Sequence, residues 1–146
     1  MRRFGNPPRP DKYYRPRPGA YAIILRGDKI LLTEQSEPRI EIQLPGGGID
    51  AGEGPLMALH REAYEETGWK IEPVRRLGTY QRFTYMPEYD LYAQKIAHIY
   101  LCNAIVKHSD PIEPFHRAIW SDIDTAINLL GPEGDRHFLK ELVSSR

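Results

Sequence analysis

Residues 47–69 read GGIDAGEGPLMALHREAYEETGW, a glycine-rich segment followed by a stretch with helix-forming residues. Gly54 can serve as the N-cap, and Pro55 then takes the first helical position, where its missing N–H costs nothing. Gly68 suits a left-handed residue that ends a helix. The spacing therefore predicts a helix between Gly54 and Gly68. Three apolar residues share one stripe of it and are expected to face the core: Leu56, Leu59 and Ala63.

A second stripe of the same helix is acidic. Glu62, Glu65 and Glu66 follow the i, i+3, i+4 spacing that makes side chains neighbours on a helix. Like charges at that spacing destabilise an isolated helix, so the stripe is either a solvated face or a cradle for a divalent cation. Carboxylates beside a glycine loop, with a metal among them, suit a substrate that carries phosphate.

The stretch resembles the Nudix box, written G-x5-E-x7-R-E-U-x-E-E-x-G-U with U a bulky or aliphatic apolar residue. Seven positions carry the box identities: Gly47, Glu53, Arg61, Glu62, Glu65, Glu66 and Gly68. Ala63 and Trp69 occupy the two apolar positions, and Ala63 is small for its place. The resemblance implies an α/β fold, a Nudix-type α/β/α sandwich with a mixed β-sheet, and metal-dependent hydrolysis of a phosphoanhydride.

The resemblance also implies roles for individual residues. The expected metal ligands are Glu62, Glu65 and Glu66, with the backbone carbonyl of Gly46. Glu53 completes the catalytic site at the helix N-terminus, and Arg61 orients a box glutamate through an ion pair. Hard oxygen ligands suit Mg²⁺, with Mn²⁺ as the alternative.

The general base is open between a box glutamate and a carboxylate on a distant loop. In the segment 111–120, Arg117 stands where many family members place an acid just after a histidine. Glu113 is the nearest carboxylate that could substitute, and its alternative role is that of an ordinary loop residue. His116 fits a structural role or a hydrogen bond to substrate better than the role of base.

Aromatic residues crowd the segment after the box and could stack on a nucleobase or pack within the sheet: Tyr80, Phe83, Tyr85, Tyr89 and Tyr92. Together with Gly47 and Gly48, we take Tyr85 as a candidate substrate-binding residue. A tyrosine at this distance from the box resembles the dinucleoside polyphosphate hydrolases. The nearby Pro87 resembles the ADP-ribose hydrolases, so the two signals conflict.

The composition indicates one compact domain of 146 residues. The net charge is zero, so no overall field draws the chain to nucleic acid or to a membrane, and its six-residue longest apolar run is too short to span a bilayer. The single cysteine, Cys102, permits no intramolecular disulfide. We expect a cytoplasmic protein whose partner is a nucleotide-type small molecule; a homodimer is one arrangement open to it.

The order of elements is mixed. We predict strands at 20–25, 30–33, 40–44, 71–85, 97–106 and 118–120, turns at 27–28, 46–48 and 86–90, and helices at 122–130 and 132–143 after the box helix. Residues 1–18 form a basic, Pro-rich arm before a domain at 19–146. The arm could be a solvated leader, lie across its own sheet, reach a partner subunit or bring arginines to phosphates.

The sequence therefore predicts a Nudix diphosphohydrolase that cuts a nucleoside diphosphate linked to another moiety. A MutT-type enzyme acting on oxidised or ordinary nucleoside triphosphates is the first alternative. A nucleotide-sensing module that has lost turnover is the second, and capped-RNA processing, which would use the basic arm, is a further alternative.

Overall fold

The computed structural model describes residues 1–145, which form eight β-strands, three α-helices and one short 3-10 turn. The strands are β1 (Arg2–Phe4), β2 (Arg15–Arg26), β3 (Lys29–Gln35), β4 (Glu41–Gln43), β5 (Gly46–Gly48), β6 (Trp69–Met86), β7 (Leu91–Lys107) and β8 (His116–Asp122). The helices are α1 (Pro55–Thr67), α2 (Ile123–Leu129) and α3 (Glu133–Ser144), and the 3-10 turn is Pro87–Tyr89. Within residues 1–145, no helix combines the length and the apolar character needed to cross a bilayer.

All eight strands belong to one sheet, with the order β1-β6-β7-β2-β3-β4. β5 joins it through β2, and β8 joins it through β3. The β1–β6 and β2–β7 pairs are parallel and the other pairs are antiparallel. The sheet is therefore mixed, as predicted.

Helices cover both faces of the sheet, because β2 and β7 carry apolar residues on both sides. On one face Ala20 and Ile24 pack with Leu59 and Ala63 of α1. On the other face Ile23 and other strand residues pack against α2 and α3. The predicted α/β/α sandwich is confirmed.

The caps of α1 are those expected. Gly54 is the N-cap, and Gly68 has a φ of 76°, the left-handed conformation that glycine adopts without strain. Leu59 and Ala63 are fully buried, but Leu56 is 50% exposed, so its predicted core position is wrong. Residues 55–57 are all exposed, and burial in α1 begins at Ala58.

Several strand boundaries differ from the prediction, including those of β8, which spans His116–Asp122 rather than 118–120. The hairpin at residues 27–28 is confirmed by the pairing of Arg26 with Lys29. The predicted turn at 46–48 is wrong, because β5 forms a ladder in which Tyr21 pairs with Gly46. β2 and β7 both begin several residues early, and their parallel pairing starts at Arg15 and Ala93.

The N-terminal segment extends the sheet at two points. β1 runs parallel to β6, where the Phe4 ring packs edge-on against Tyr80 at 5.4 Å. β2 runs continuously across residue 18, and before Gly19 it is paired on the β7 side only. Pro16 and Pro18 fit there because a proline in a strand needs a side with no partner. Residues 2–4 and 15–18 of the arm thus lie in the sheet, and the role of the arm stays a prediction.

Candidate active site

Arg61 forms the centre of the site from its position near the middle of α1. Its Nε and Nη2 donate to the two carboxylate oxygens of Glu53 at 2.8 and 2.9 Å. Nη1 donates to Glu62 at 2.9 Å and to Glu65 at 3.2 Å. Nη2 also donates to the carbonyl of Gly48 at 3.0 Å. The guanidinium of Arg61 therefore joins α1 to β5, the strand formed by Gly46–Gly48, and it holds three box carboxylates.

The carboxyl groups that contact Arg61 have different pKa values. The hydrogen bonds from Arg61 lower the pKa of Glu53 to about 2. Burial raises the pKa of Glu62 above its usual value, although Arg61 opposes that effect. Glu53 is therefore a permanent anion that anchors Arg61, whereas the charge of Glu62 is only partly compensated.

The glycine strand lies close to α1 because it has no side chain at Gly47. A Cβ built on Gly47 would lie 2.5 Å from Oε2 of Glu62, closer than any real contact. The next residue, Gly48, has open space around the same position. A side chain at residue 47 would therefore displace the carboxylate of Glu62.

Glu66 is the most buried box carboxylate, with 5% of its surface exposed. The backbone N–H of Gly46 donates to its Oε1 at 3.1 Å, and Nδ1 of His116 lies 3.7 Å from its Oε2. Burial and the neighbouring charges of Glu62, Glu113 and Glu65 raise the pKa of Glu66 to about 9. Burial also lowers the pKa of His116, which favours the neutral ring beside this carboxyl group.

The predicted ligands lie together but do not converge on one point. Among the residues that the structure describes, no three His, Cys, Asp or Glu side chains are placed to enclose a metal ion. Glu62 and Glu65 instead turn to Arg61, and Glu66 turns to the Gly46 N–H. The donor set fits Mg²⁺ or Mn²⁺ by its chemistry, since it consists of carboxylate oxygens around a buried, uncompensated acid.

The loop between β7 and β8 brings Glu113 to the same region. The N–H groups of Ile112 and Glu113 donate to the carbonyl of Glu65 at 2.9 and 2.8 Å, which docks the loop on the end of α1. The Glu113 side chain is exposed, yet its charge contributes to the raised pKa values of Glu62 and Glu66. The candidate base is therefore adjacent to the carboxylates, although it is distant in sequence.

Tyr85 lines a cavity of about 620 Å³ that also includes Gly46, Gly47 and Glu66. Tyr85 is 43% exposed, its hydroxyl donates to Asp90, and its ring packs against that of Tyr92 at 4.9 Å. Tyr80 differs, because it is buried and its hydroxyl donates to Asp135 at 2.7 Å. For Tyr80, the alternative of packing within the fold is the correct one.

Among the residues that line this cavity, the sequence indicated a structural or substrate-binding role for His116 but gave no indication of Arg82 and Lys95. His116 lies 3.0 Å from the hydroxyl of Thr33, which fixes the ring beside Glu66. Arg82 and Lys95 line the same cavity as Glu66. Each lies in a strand of otherwise ordinary composition, and no sequence signal shows that the two strands place them side by side.

Comparison with known proteins identifies the family. Residues 15–142 match the model of the NUDIX domain. The chain belongs to this family.

Two relatives are similar in sequence over part of their length. The putative 8-oxo-dGTP diphosphatase of Bacillus subtilis is 36% identical over 75 residues, covering 51% of this chain and 50% of that protein. The CMP-5'-(N-acetyl-N-hydroxy-3-aminopropyl)phosphonate hydrolase of Streptomyces rubellomurinus is 32% identical over 120 residues, covering 77% and 55%. The chain thus spans about half the length of each relative.

A solved structure supports the fold. A NUDIX hydrolase from Nitrosomonas europaea superposes with a TM-score of 0.75 over 90% of both chains, at 20% identity. At that identity the likeness establishes the shared architecture and leaves the substrate open.

Proposed function

We propose that this protein is a metal-dependent hydrolase that cuts a phosphoanhydride bond in a nucleoside diphosphate linked to another moiety. The observation that carries the proposal is Glu66, a carboxyl group that is 5% exposed beside a histidine of lowered pKa. A buried carboxylate without a cationic partner is unfavourable, and a divalent ion held with Glu62 and Glu65 would compensate it.

In this proposal Glu62, Glu65 and Glu66 hold Mg²⁺ or Mn²⁺, with the Gly46 carbonyl as a further ligand. A bound ion of this kind neutralises phosphate charge and lowers the pKa of a coordinated water. Arg61 and Glu53 keep the carboxylates in position, since a planar guanidinium bonds to a carboxylate through two donors.

Glu113 serves as the general base. Its loop is docked on the carbonyl of Glu65, and its charge acts on Glu62 and Glu66. Gly47 and Gly48 allow the phosphates to approach the backbone, and Tyr85 contacts the nucleotide from the cavity wall. A cytoplasmic location and a homodimer stay predictions.

The names of the two relatives favour different candidate substrates. The S. rubellomurinus relative is named for a CMP-linked phosphonate, which favours a nucleotide joined to another group. The B. subtilis relative is named a putative 8-oxo-dGTP diphosphatase, which favours the MutT-type alternative, hydrolysis of an oxidised nucleoside triphosphate.

A panel of substrates assayed with Mg²⁺ tests the proposal. It should contain nucleoside triphosphates, 8-oxo-dGTP, nucleotide sugars, ADP-ribose and dinucleoside polyphosphates, and the products identify which bond opens. The proposal expects turnover of a linked nucleoside diphosphate that stops when EDTA is added. Preferential turnover of 8-oxo-dGTP would instead establish the MutT-type alternative.

The Glu65→Gln variant separates an enzyme from a nucleotide-sensing module. An enzyme loses Mg²⁺-dependent turnover in this variant, whereas a sensor keeps its nucleotide affinity and has no turnover to lose. Calorimetry with Mn²⁺ and a non-cleavable nucleotide analogue completes the test. If the native protein takes up no metal even with the analogue present, the metal-dependent proposal is wrong.

A further inference from the structure

Three cationic residues stand side by side on the sheet. Lys95 of β7 pairs with Arg82 of β6 on one side and with Arg17 of β2 on the other. Residues directly opposite on adjacent strands project to the same face with Cβ atoms about 5 Å apart, so the three form one row. Phe4, the partner of Arg82 in β1, belongs to the core under α2 and α3. The cationic row, Arg17–Lys95–Arg82, therefore lies on that face.

The protein compensates the cationic row only weakly, through the charges of Glu88 and Glu41 acting on Lys95 from beyond ion-pair distance. Within residues 1–145, none of the three side chains has a carboxylate within 4.0 Å. Glu41, which lies in the same cavities, pairs with Arg39 at 3.6 Å. Like charges directly opposite on a sheet are destabilising, so this arrangement costs stability in the absence of an anion.

The pKa of Lys95 reflects the same repulsion between like charges. Desolvation by the surrounding walls, followed by the charge of Arg82, lowers the pKa of Lys95 below its usual value. The side chain is nevertheless open to the cavity. It is therefore a cation in a recess, placed to meet an anion from solvent.

Two adjoining cavities connect the cationic row to the carboxylates. One of about 620 Å³ is lined by Arg82 and Lys95 together with Gly46 and Glu66. A second, of about 380 Å³, continues past all three cations to the start of α3. Arg17 precedes Tyr21, the partner of Gly46, by four residues, which is about 13 Å along a strand. That length exceeds a diphosphate. The cationic row is therefore at the distance of a group that a nucleotide-type substrate carries beyond its diphosphate.

We propose that the cationic row binds an anionic group of the substrate beyond the scissile diphosphate, so that the preferred substrates are nucleotides carrying an additional phosphate. The inference rests on the proposed function and names the substrate class of the same site. Two guanidinium groups and one ammonium group around a recess suit the several oxygens of a phosphate. The acidic end of the cavity holds the metal-bound diphosphate, and the cationic end holds the second anion.

A binding experiment tests the row without requiring turnover. Calorimetry with inorganic tripolyphosphate in EDTA excludes the metal from the measurement. The native protein should bind, and the Arg82→Gln/Lys95→Gln double variant should bind at least about tenfold more weakly, as expected for lost charged hydrogen bonds. The Arg3→Gln/Arg75→Gln control removes the same charge from exposed residues outside both cavities and should bind normally. Absence of native binding, or equal weakening in the control, overturns the proposal.

Matched substrates then test the position of the second anion. Coenzyme A and 3'-dephospho-coenzyme A differ by one phosphate, as do NADPH and NADH. The double variant should lower kcat/KM for the phosphate-bearing member at least about tenfold more than for its partner. An equal loss for both members shows that the row holds the scissile diphosphate and overturns the inference.

Two further readouts separate the possible failures. Thermal unfolding of the double variant should occur at or above the native temperature, because a repulsion has been removed; a large decrease would show that the row has a structural role and overturn the inference. Tripolyphosphate binding by a protein that hydrolyses no member of the panel would support the row as a phosphate site and count against the proposed hydrolysis.

Discussion

Arg61 holds the carboxylate of Glu53 with two hydrogen bonds, from Nε at 2.8 Å and from Nη2 at 2.9 Å. Both residues come from the box motif, and the contact connects the middle of α1 to the turn that precedes it. The same guanidinium reaches Glu62 and Glu65. The positions of these three carboxylates therefore depend on the planar guanidinium of Arg61.

The Arg61→Lys variant should lose activity although it keeps the charge. Lysine is a point charge and cannot bond to Glu53 through two donors while also holding Glu62. Residues that orient metal ligands typically contribute about 10–100-fold to metal affinity or activity, and we expect a loss of that size in kcat/KM. The Arg75→Lys variant, an exposed change on β6, is the matched control. Unchanged kcat/KM in Arg61→Lys would show that charge alone is sufficient.

The Gly47→Ala and Gly48→Ala variants form a pair that tests the approach of β5 to α1. An added methyl at Gly47 would meet Glu62 at 2.5 Å, whereas at Gly48 it meets nothing within 4 Å. We expect Gly47→Ala to lower Mn²⁺ affinity on the order of tenfold, because Glu62 is displaced. Gly48→Ala should bind Mn²⁺ normally. Equal effects in the two variants, measured by calorimetry, would contradict the close-approach argument.

Asp135 should make stability depend on pH. It is fully buried, accepts a hydrogen bond from the Tyr80 hydroxyl, and burial raises its pKa from 3.8 to about 6. The folded state then binds the proton more tightly than the unfolded state. The resulting stabilisation is fully present below pH 4 and is lost as the pH rises through about 6.

The Asp135→Asn variant is the reference for this measurement. The native free energy of unfolding minus that of the variant should fall by roughly 2.4 kcal/mol between pH 4 and pH 7, since each unit of pKa corresponds to about 1.4 kcal/mol and the unfolded carboxyl group is already partly ionised at pH 4. Urea unfolding at both pH values measures the difference. A difference that stays constant, or that increases with pH, would show that the carboxyl group is ionised throughout.

Leu59→Ala and Leu56→Ala test which residues of α1 form the core. Leu59 is fully buried and its truncation should cost about 2–5 kcal/mol of unfolding free energy. Leu56 is half exposed, and its truncation should stay within about 0.5–1 kcal/mol. Urea denaturation of both variants gives the comparison. A similar loss of unfolding free energy in both variants would show that Leu56 belongs to the core.

Glu113→Gln tests the assignment of the base. Removal of a general base lowers kcat by about 10²–10⁴-fold, while the metal affinity should change little because Glu113 is not among the proposed ligands. Rapid kinetics and Mn²⁺ calorimetry on one preparation measure both. A kcat near the native value would move the role to a box glutamate.

The fold and part of the site could be predicted from sequence because the signals are local. The caps of α1 at Gly54 and Gly68 follow from backbone preferences, and the hairpin at residues 27–28 follows from its turn residues. The prediction for Leu56 was wrong because the spacing of a helical stripe shows which residues share a face of the helix. It does not show at which residue along the helix that face becomes buried. The prediction of a turn at 46–48 was wrong because a glycine run next to β2 can pair as a strand.

The sequence by itself determined the architecture, the identity of the box residues and the family, since these depend on residues within a short distance along the chain. Only the tertiary structure decided which residues share the cavity. Arg17, Lys95 and Arg82 meet because β2, β7 and β6 lie side by side in one register, and Tyr80 meets Asp135 because α3 covers that face. Such contacts join positions far apart in the chain, and strand register is fixed by packing across the whole sheet.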